Sequence, residues 1–519
     1  MILALFVCAF IGLNNGFRVL VVFPLCAPSH HILGRSVATN LLESGHEVVL
    51  ITCFPDKEKK INLTQIDQSH VFELAQKRNN KNFEEEFKLK NLVGRKNYVD
   101  SLSFYYIAHD IHKWFLTDDV MLNLLIDTQQ HFDAVVIEWF FSTLFAGIAQ
   151  VFQAPLIWVS TTEAHWQVLK LVDEISNPTY TIDMFSENNP PLNFLERAVE
   201  LWNVFKKYIF LTCIVEPLEK NVYNSVYKPI GEKRNVTIPS FEDAAYNASL
   251  LLLNSHSSIA LPFKLPQNVK SIGGYHIDIK SKPLSQDLQK LMDEAKHGVI
   301  YFSMGLNLKS KDMTDNMRDS LLKMFSELKE TIIWKFERDL ENVPKNIYLT
   351  KWAPQQSILA HPNLKMFITH GGQLSTTEAI HHGVPIVGIP VFGDQHINMR
   401  NAVEKGFGIA VDLSEDMVGE LTAAIQEILN NLSYKNKAKE LSALFHYRQM
   451  TPQKELVHWV EYAIRTRGAL HLRSPALNVP LYQKLYLDLL LTFVFVIYVL
   501  RKVFNMLFPK KSSLKVKIS

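Results

Sequence analysis

Cysteine is scarce in this chain, and the absence of cysteine and histidine clusters excludes several classes of protein. The 519 residues include four cysteines, at positions 8, 26, 53 and 213. None forms a CxxC pair or lies among histidines at the spacing of metal ligands, which argues against a zinc site and a disulfide scaffold. Removal of the N-terminal segment would leave three cysteines, so at most one bridge can form, and buried thiols are favoured.

Positive charge is also short in the part of the chain where nucleic acid binding would need it. The chain has 54 Lys and Arg against 52 Asp and Glu, but the last nineteen residues hold six bases and no acid. The remaining 48 bases face 52 acids, which argues against a basic face for nucleic acid. With 47% hydrophobic and 20% charged residues, the chain is globular rather than disordered, and its length suffices for two or three domains.

The N-terminus begins with an apolar run, Ile2 to Leu13. Twelve apolar residues are too few to span a bilayer but suit the core of a signal peptide. We predict a signal peptide over residues 1–16; the alternative is that this run belongs to the fold.

A second apolar segment covers residues 481–500 and is followed by the basic tail 501–519. Its length matches one membrane crossing, and the positive-inside rule would place the tail in the cytosol. The terminal Lys515-Val516-Lys517-Ile518-Ser519 resembles the KxKxx retrieval signal of endoplasmic-reticulum type I membrane proteins. We therefore predict an endoplasmic-reticulum membrane protein with its catalytic domains in the lumen, where the sequons fall. The sequons are Asn62, Asn235, Asn247 and Asn431.

The body of the chain alternates strand-like and helix-like segments in two successive halves. This βαβ rhythm predicts parallel sheets with helices on both faces. The expected strands are Val19–Phe23, Glu47–Thr52, Ala134–Ile137, Leu156–Ser160 and Leu250–Asn254, then Gly298–Ser303, Thr331–Phe336, Lys365–Thr369 and Pro385–Ile389. The predicted α/β fold has a first domain over 17–260, a linker over 261–286 and a second domain over 287–450, with a cleft between the domains.

Two further helical segments complete the organisation. Residues 451–480 contain a helical pattern, Pro452–Arg467, that could return to pack on the first domain. Residues 185–227 carry aromatic and aliphatic side chains beside two lysines, a pattern that suits an ordinary core helix or an amphipathic helix on a membrane surface.

The stretch from Trp352 to Gly406 is the most informative part of the sequence. A strand ends at Thr369 and leads into His370-Gly371-Gly372 and a Ser/Thr-rich helix start. Glycines let a backbone approach a ligand, and a helix N-terminus favours anions such as phosphate. His370 can donate to the same phosphates. Glu378, two turns further on, could accept hydrogen bonds from paired hydroxyls such as those of a ribose.

Side chains around that helix suit the remaining parts of a nucleotide sugar. Trp352 offers a flat face on which a base can stack, and Asp394 and Gln395 offer an acceptor and a donor for sugar hydroxyls. These elements stand in one order over about fifty residues. The stretch resembles the signature of the UDP-glycosyltransferase superfamily, and the resemblance extends over nearly the whole chain. The animal, membrane-bound branch fits best, and the style of the motif is insect-like.

The resemblance implies a GT-B fold, in which two Rossmann-like domains hold the acceptor and the UDP-sugar respectively. It implies that Trp352 and Gln355 meet the uracil, His370 the diphosphate and Glu378 the ribose. It further implies that Asp394 and Gln395 meet the sugar and that Ser303 lies near the phosphates. Neither a cofactor nor a metal ion is expected, since the UDP-sugar is a co-substrate, and homo- or heterodimers are compatible with the family.

One departure from the family pattern concerns the start of the second-domain helix. Vertebrate members tend to have Asn-Gly where this chain has Leu374-Ser375. A phosphate contact from Asn is therefore absent, and Ser375 would serve together with backbone N–H groups, including those around Gly372. Because insect members share this style, the departure indicates the branch rather than a loss of activity.

Transfer of a sugar to a hydroxyl needs a base that removes the acceptor proton. The resemblance places this base at His30, which follows Ser29 after the first strand; its neighbour His31 is the alternative. The base needs an acidic partner, and many relatives have Asp where this chain has Glu138, one methylene longer. The expected mechanism is a single displacement with inversion at the anomeric carbon.

We therefore expect a UDP-glycosyltransferase that moves a sugar, glucose by the insect-like resemblance, to a small lipophilic acceptor in the metabolism of endogenous or foreign compounds. Transfer of glucuronate is the alternative for the donor. A catalytically silent partner that binds nucleotide sugars is the alternative from another class of protein.

Overall fold

The computed structural model describes residues 16–78, 88–94, 101–173, 175–186, 188 and 190–508. The predicted signal peptide lies outside the described residues except for Gly16, and so does the tail beyond Phe508. The chain divides into two units, one ending at Arg473 and one beginning at Ser474.

The first unit contains a seven-stranded parallel sheet of order β3-β2-β1-β4-β5-β6-β7. Its strands are β1 Arg18–Val22, β2 Glu47–Thr52, β3 Leu63–Asp67, β4 Ala134–Trp139, β5 Leu156–Ser160, β6 Leu250–Leu253 and β7 Val269–Ser271. Its helices are α1 Pro28–Glu43, α2 Ser69–Arg78, α3 Leu89–Leu92, α4 Ser101–Leu116, α5 Asp119–Ile126, α6 Ala146–Phe152, α7 Trp166–Leu169, α8 Phe194–Phe210, α9 Glu216–Arg234 and α10 Phe241–Ala245, with a π-helix over Leu211–Val215 between α8 and α9.

A second parallel sheet in the same unit has six strands in the order β10-β9-β8-β11-β12-β13. The strands are β8 Val299–Ser303, β9 Thr331–Lys335, β10 Ile347–Thr350, β11 Leu364–Thr369, β12 Ile386–Gly388 and β13 Gly408–Ala410. The helices are α11 Gln286–Asp293, α12 Asp315–Ser326, α13 Gln355–Leu359, α14 Gln373–His382, α15 Gln395–Glu404, α16 Val418–Asn430, α17 Leu432–His446 and α18 Pro452–Arg465, with 3₁₀ turns at Ser310–Asp312 and Leu470–Leu472.

The alternation of apolar residues along the central strand explains why helices cover both faces of the first sheet. In β1, Leu20 and Val22 belong to one buried cluster, whereas Val19 and Val21 belong to the cluster on the other face. Successive side chains of a strand point to opposite faces, so an all-apolar strand requires a layer of helices on each side. The predicted two-domain α/β architecture is confirmed.

The helix α18 packs against the first sheet although it follows the second one in the chain. Leu456 and Val460 share a buried cluster with Val19 and with Leu33 of α1. In the structure this helix therefore returns to the first domain. The predicted linker 261–286 needs a correction, because it contains β7, which pairs in parallel with β6 and completes the first sheet.

The helical region 185–227 contains one helix whose apolar side chains are buried and one whose apolar side chains are mostly exposed. Tyr223 and Tyr227 of α9 are fully buried, and Val204 of α8 is buried. Most large apolar side chains of α8 are exposed instead, so an ordinary core helix is the wrong description of that part. The exposed ones are Phe194, Leu195, Val199, Leu201, Trp202, Phe205 and Ile209.

The expectation of buried thiols is also wrong. Cys26 and Cys53 form a disulfide with their Cα atoms 5.5 Å apart, and Cys213 is exposed. The pairing follows from the topology, because β1 and β2 are parallel neighbours and the segments after them lie at the same edge of the sheet. The bridge fixes the loop that leads into α1.

The second unit contains a 3₁₀ turn at Pro475–Asn478 and two helices, α19 Leu481–Lys484 and α20 Leu487–Leu507. Among the described residues no helix is both long and apolar enough to cross a bilayer, so the predicted crossing over 481–500 is not confirmed. The segment is not one helix, since Tyr486 has a φ of 54° and separates α19 from α20. Between Asp488 and Arg501 the uncharged part of α20 rises only about 18 Å.

Candidate active site

The two parallel sheets bring the carboxyl ends of their strands to a shared cleft, where ligands of such sheets bind. The domains touch there through buried hydrogen bonds. Gln373 Nε2 of α14 donates to the carbonyl oxygen of Asn254 at 2.9 Å, and Asn401 Nδ2 of α15 donates to Glu163 Oε1 at 3.2 Å. The first domain therefore presents its loops directly to the second.

His30 and Glu138 are in contact on the first-domain side of this cleft. Pro28 begins α1, which places His30 in the first turn, and Nδ1 of His30 contacts Oε1 of Glu138 near the end of β4. Glu138 has no exposed side-chain area, and His30 retains 16%. The other carboxylate oxygen accepts from the Leu25 N–H at 3.4 Å. With Nδ1 engaged by the carboxylate, Nε2 is the atom of His30 that can exchange a proton.

The neighbouring His31 has a different environment. Its Nδ1 lies 3.0 Å from the hydroxyl oxygen of Thr52, at the end of β2. Burial, assisted by the charge of Arg35, lowers the pKa of His31. Of the two histidines, His30 is the one that the structure pairs with an acid.

The turn after β11 forms a narrow cradle around His370. An added Cβ at Gly305 would lie 2.5 Å from His370 Cε1, and one at Gly372 would lie 2.5 Å from Nε2. Glycine is thus required on both sides of the ring. Ser303 ends β8 beside the cradle, and its hydroxyl oxygen accepts from the Gly305 N–H at 3.3 Å. Gly372 is the N-cap of α14, so the positive end of a ten-residue helix lies at the same place.

A cluster of amide and carboxylate groups surrounds Glu378 one turn further along α14. Gln355 Nε2 donates to Glu378 Oε2 at 2.7 Å and to the hydroxyl oxygen of Ser375 at 3.2 Å. The structure thus brings three of the predicted donor-site residues together. Trp352 lies at the start of this segment with 66% of its area exposed, which leaves its ring face accessible to a base.

Asp394 and Gln395 stand at the start of α15. Asn398 Nδ2 donates to Asp394 Oδ2 at 2.8 Å, and Gln395 Oε1 accepts from the Val391 N–H at 2.8 Å. Because the amide oxygen of Gln395 is engaged by the loop before α15, the amide nitrogen is the atom that would donate to a sugar hydroxyl. Burial raises the pKa of Asp394, and the hydrogen bond from Asn398 acts against this shift.

A family model described as "UDP-glucoronosyl and UDP-glucosyl transferase" matches residues 18–517. The chain belongs to this family. It is 32% identical over 507 residues to UDP-glucosyltransferase 2 of Dactylopius coccus, covering 96% of this chain and 93% of that one. It is 35% identical over 245 residues to UDP-glucuronosyltransferase 2B15 of Rattus norvegicus, covering 47% and 46%. The family resemblance is thereby confirmed, and the protein is a glycosyltransferase.

Solved glycosyltransferase structures share the fold at low identity. The spinosyn forosaminyltransferase SpnP matches with a TM-score of 0.56 and 15% identity, covering 87% of this chain and all of that one. Arabidopsis thaliana UGT89C1, solved with UDP-L-rhamnose, matches with a TM-score of 0.55 and 14% identity over 88% of this chain and all of that one. These matches confirm the GT-B fold.

In this UDP-glycosyltransferase Lys335 lies at the cradle formed by Gly305 and His370, and the sequence motif did not indicate it. It ends β9 and is 7% exposed, and its Nζ donates to the Gly305 carbonyl oxygen at 2.8 Å and to Glu337 Oε1 at 2.9 Å. Burial, and then the charge of Lys335, lowers the pKa of His370 to about 4. At neutral pH His370 is thus uncharged, and the ammonium group beside it is that of Lys335, which is paired with Glu337. The sequence feature that could have indicated Lys335 is a lysine at the end of an otherwise apolar strand.

Aromatic rings form a wall beside His30. Phe140 meets the His30 ring edge-on with centroids 5.3 Å apart. Phe104 and Phe185, both partly exposed, lie 5.6 Å apart, and Phe104 lies 6.2 Å from Phe140. Phe141 supports these rings from a buried position with a φ of 51°, a conformation that a bulky residue adopts only when its surroundings enforce it.

Proposed function

We propose that this enzyme transfers glucose from UDP-glucose to a hydroxyl of a small lipophilic acceptor, with inversion, in the metabolism of endogenous or foreign compounds. The observation that carries the proposal is the contact between His30 and the buried Glu138, opposite the donor residues of the second domain. The family membership supports a UDP-sugar as donor, and the similarity to an insect UDP-glucosyltransferase favours glucose.

In the proposed reaction His30 Nε2 takes the acceptor proton as the acceptor oxygen forms its bond to the anomeric carbon. The bond from that carbon to the β-phosphate oxygen breaks, and UDP leaves with the electron pair. Glu138 stabilises the imidazolium that forms. The charge on UDP is met by the N-terminus of α14, by the N–H of His370 and by Lys335.

The wall of rings supports a proposal for the acceptor class. Half-buried phenylalanines around a base favour a flat apolar molecule, since aromatic pairs gain from edge-to-face and offset contacts at 4.5–7 Å between centroids. We therefore propose a phenol or another aromatic alcohol as the acceptor.

We further propose that the catalytic domains fold in an oxidising lumen. The Cys26–Cys53 bridge supports this compartment, because reducing cytosol rarely permits structural disulfides. The sequon residues Asn62, Asn235 and Asn247 are exposed, as glycosylation requires.

The testing experiment measures UDP release by the purified chain with a panel of phenols, using UDP-glucose and UDP-glucuronate in separate reactions. We expect turnover with UDP-glucose and at most a few per cent of it with UDP-glucuronate. Turnover with UDP-glucuronate alone would contradict the proposed donor. Tight UDP binding without turnover of either donor, across alcohols as well as phenols, would favour the silent binding protein.

A further inference from the structure

His276 lies between the two domains, in the segment that follows β7, and both of its ring nitrogens are buried. The side chain has no exposed area. Neither Nδ1 nor Nε2 has a hydrogen bond among the described residues. A buried polar group without a hydrogen bond is costly and rare. Such a group needs a reason, and here the reason lies in its nearest charged neighbour.

That neighbour is Glu378, the carboxylate predicted to hold the ribose. His276 Nε2 lies 3.5 Å from Glu378 Oε1, which is just beyond the usual length of a hydrogen bond. The carboxylate is turned toward two glutamines, because Gln355 Nε2 donates to Oε2 at 2.7 Å and Gln356 Nε2 donates to Oε1 at 3.1 Å.

The backbone around His276 is held from both domains, so the histidine is the fixed member of this pair. Asn40 of α1 donates to the Tyr275 carbonyl oxygen at 3.0 Å. Gln356 donates to the His276 carbonyl oxygen at 3.4 Å and accepts from the Asp278 N–H at 2.9 Å. Glu378, by contrast, reaches its partners through a flexible side chain.

We propose that His276 is a positioning residue for Glu378, an inference that rests on the proposed UDP-sugar site. When the ribose binds, its two hydroxyls donate to the carboxylate and displace Gln355. Glu378 then moves by a few tenths of an ångström, and Nε2–H of His276 donates to Oε1 and holds the carboxylate toward the ribose. Because Asn40 ties the same segment to α1, the ribose contact is linked to the helix that carries His30.

The test compares UDP with 2′,3′-dideoxyuridine diphosphate, which lacks both ribose hydroxyls, by calorimetry. We expect His276→Ala to weaken UDP binding about tenfold and to leave binding of the dideoxy nucleotide unchanged. KM for UDP-glucose should rise about tenfold, with kcat within twofold. His276→Gln keeps an N–H donor near the position of Nε2 and should restore most of the affinity.

Two controls separate positioning from a general structural role. In a Glu378→Ala background, His276→Ala should cause no further loss, since there is no carboxylate to position. His361→Asn, at another buried histidine of the second domain that pairs with Asp293, should leave binding of both nucleotides unchanged.

Three outcomes would overturn the inference. They are equal losses for UDP and the dideoxy nucleotide, a further loss in the Glu378→Ala background, and full UDP affinity in His276→Ala. Failure of the unsubstituted protein to bind UDP would instead refute the proposed function, and this inference with it.

Discussion

Replacing Glu138 by glutamine removes one charge and preserves the shape of the side chain. Glu138 is fully buried against Nδ1 of His30, so no water can substitute for the lost carboxylate. Two unit charges about 4 Å apart interact by about 4 kcal/mol at an effective dielectric constant near 20. In the proposed reaction His30 becomes an imidazolium in the transition state. Without the charge of Glu138 beside it, kcat should fall about a thousandfold.

The assay follows UDP release at saturating UDP-glucose and phenol, and calorimetry measures UDP binding in parallel. Glu138→Gln should lower kcat about a thousandfold without changing the Kd for UDP. Glu138→Asp keeps the charge but withdraws it by about 1.5 Å, and a displacement of this size costs about a hundredfold. Asp133→Asn is the matched control, because Asp133 precedes β4 and accepts from the Arg18 N–H at 2.7 Å, away from the cleft.

A kcat of Glu138→Gln within threefold of that of the unsubstituted enzyme would refute this role of Glu138. A loss of UDP affinity equal to the loss of kcat would also refute it, since the effect would then lie in the fold rather than in proton transfer.

Three further predictions concern the donor cradle, the acceptor wall and the domain interface. Gly305→Ala should weaken UDP binding at least tenfold in calorimetry, because its Cβ would overlap the His370 ring. The control Gly419→Ala should leave UDP binding unchanged, because no atom of the described residues lies within 4 Å of its Cβ. In steady-state assays Phe140→Ala should raise KM for phenols about tenfold. Its affinity for UDP should be unchanged. Burial raises the pKa of Glu163 to about 7, so stability that is fully present below pH 4.5 is lost as the pH rises through 7. Glu163→Gln should therefore raise the free energy of unfolding at pH 8 by at most about 3 kcal/mol, seen as a higher Tm, and should have little effect at pH 4.5.

For each of these three variants one result would contradict the prediction. UDP affinity unaffected by Gly305→Ala would show that the diphosphate does not occupy the cradle, and unchanged phenol KM in Phe140→Ala would place the acceptor elsewhere. A lower Tm of Glu163→Gln at pH 8 would show that this residue is ionised and held by its partners.

The strands and the motif of the second domain were predictable because their information is local. Runs such as Glu47–Thr52 and Thr331–Phe336 combine β-branched and aliphatic residues that suit a strand buried on both faces. Each of the nine expected runs overlaps a strand of the structure. The strand β3, Leu63–Asp67, was not expected, because it lies at the edge of its sheet and is partly exposed and polar. The short β7 and β13 gave too few residues to show a pattern.

Contacts between distant parts of the chain were not predictable in the same way. The Cys26–Cys53 bridge depends on the order of the strands, and Lys335 reaches the cradle from a strand outside the motif. His276 lies close to Glu378 because the segment after β7 contacts the second domain. The pairing of His30 with Glu138 was proposed from family resemblance, and the structure shows their contact; their catalytic role stays a prediction.

The measurement that tests the central claim most directly is the anomeric configuration of the product by proton NMR. The purified chain would be incubated with UDP-glucose, whose glucose is α-linked, and a phenol. Direct attack assisted by His30 predicts the β-glucoside as the product. Formation of the α-glucoside, or the absence of any glucoside across the panel, would contradict the account.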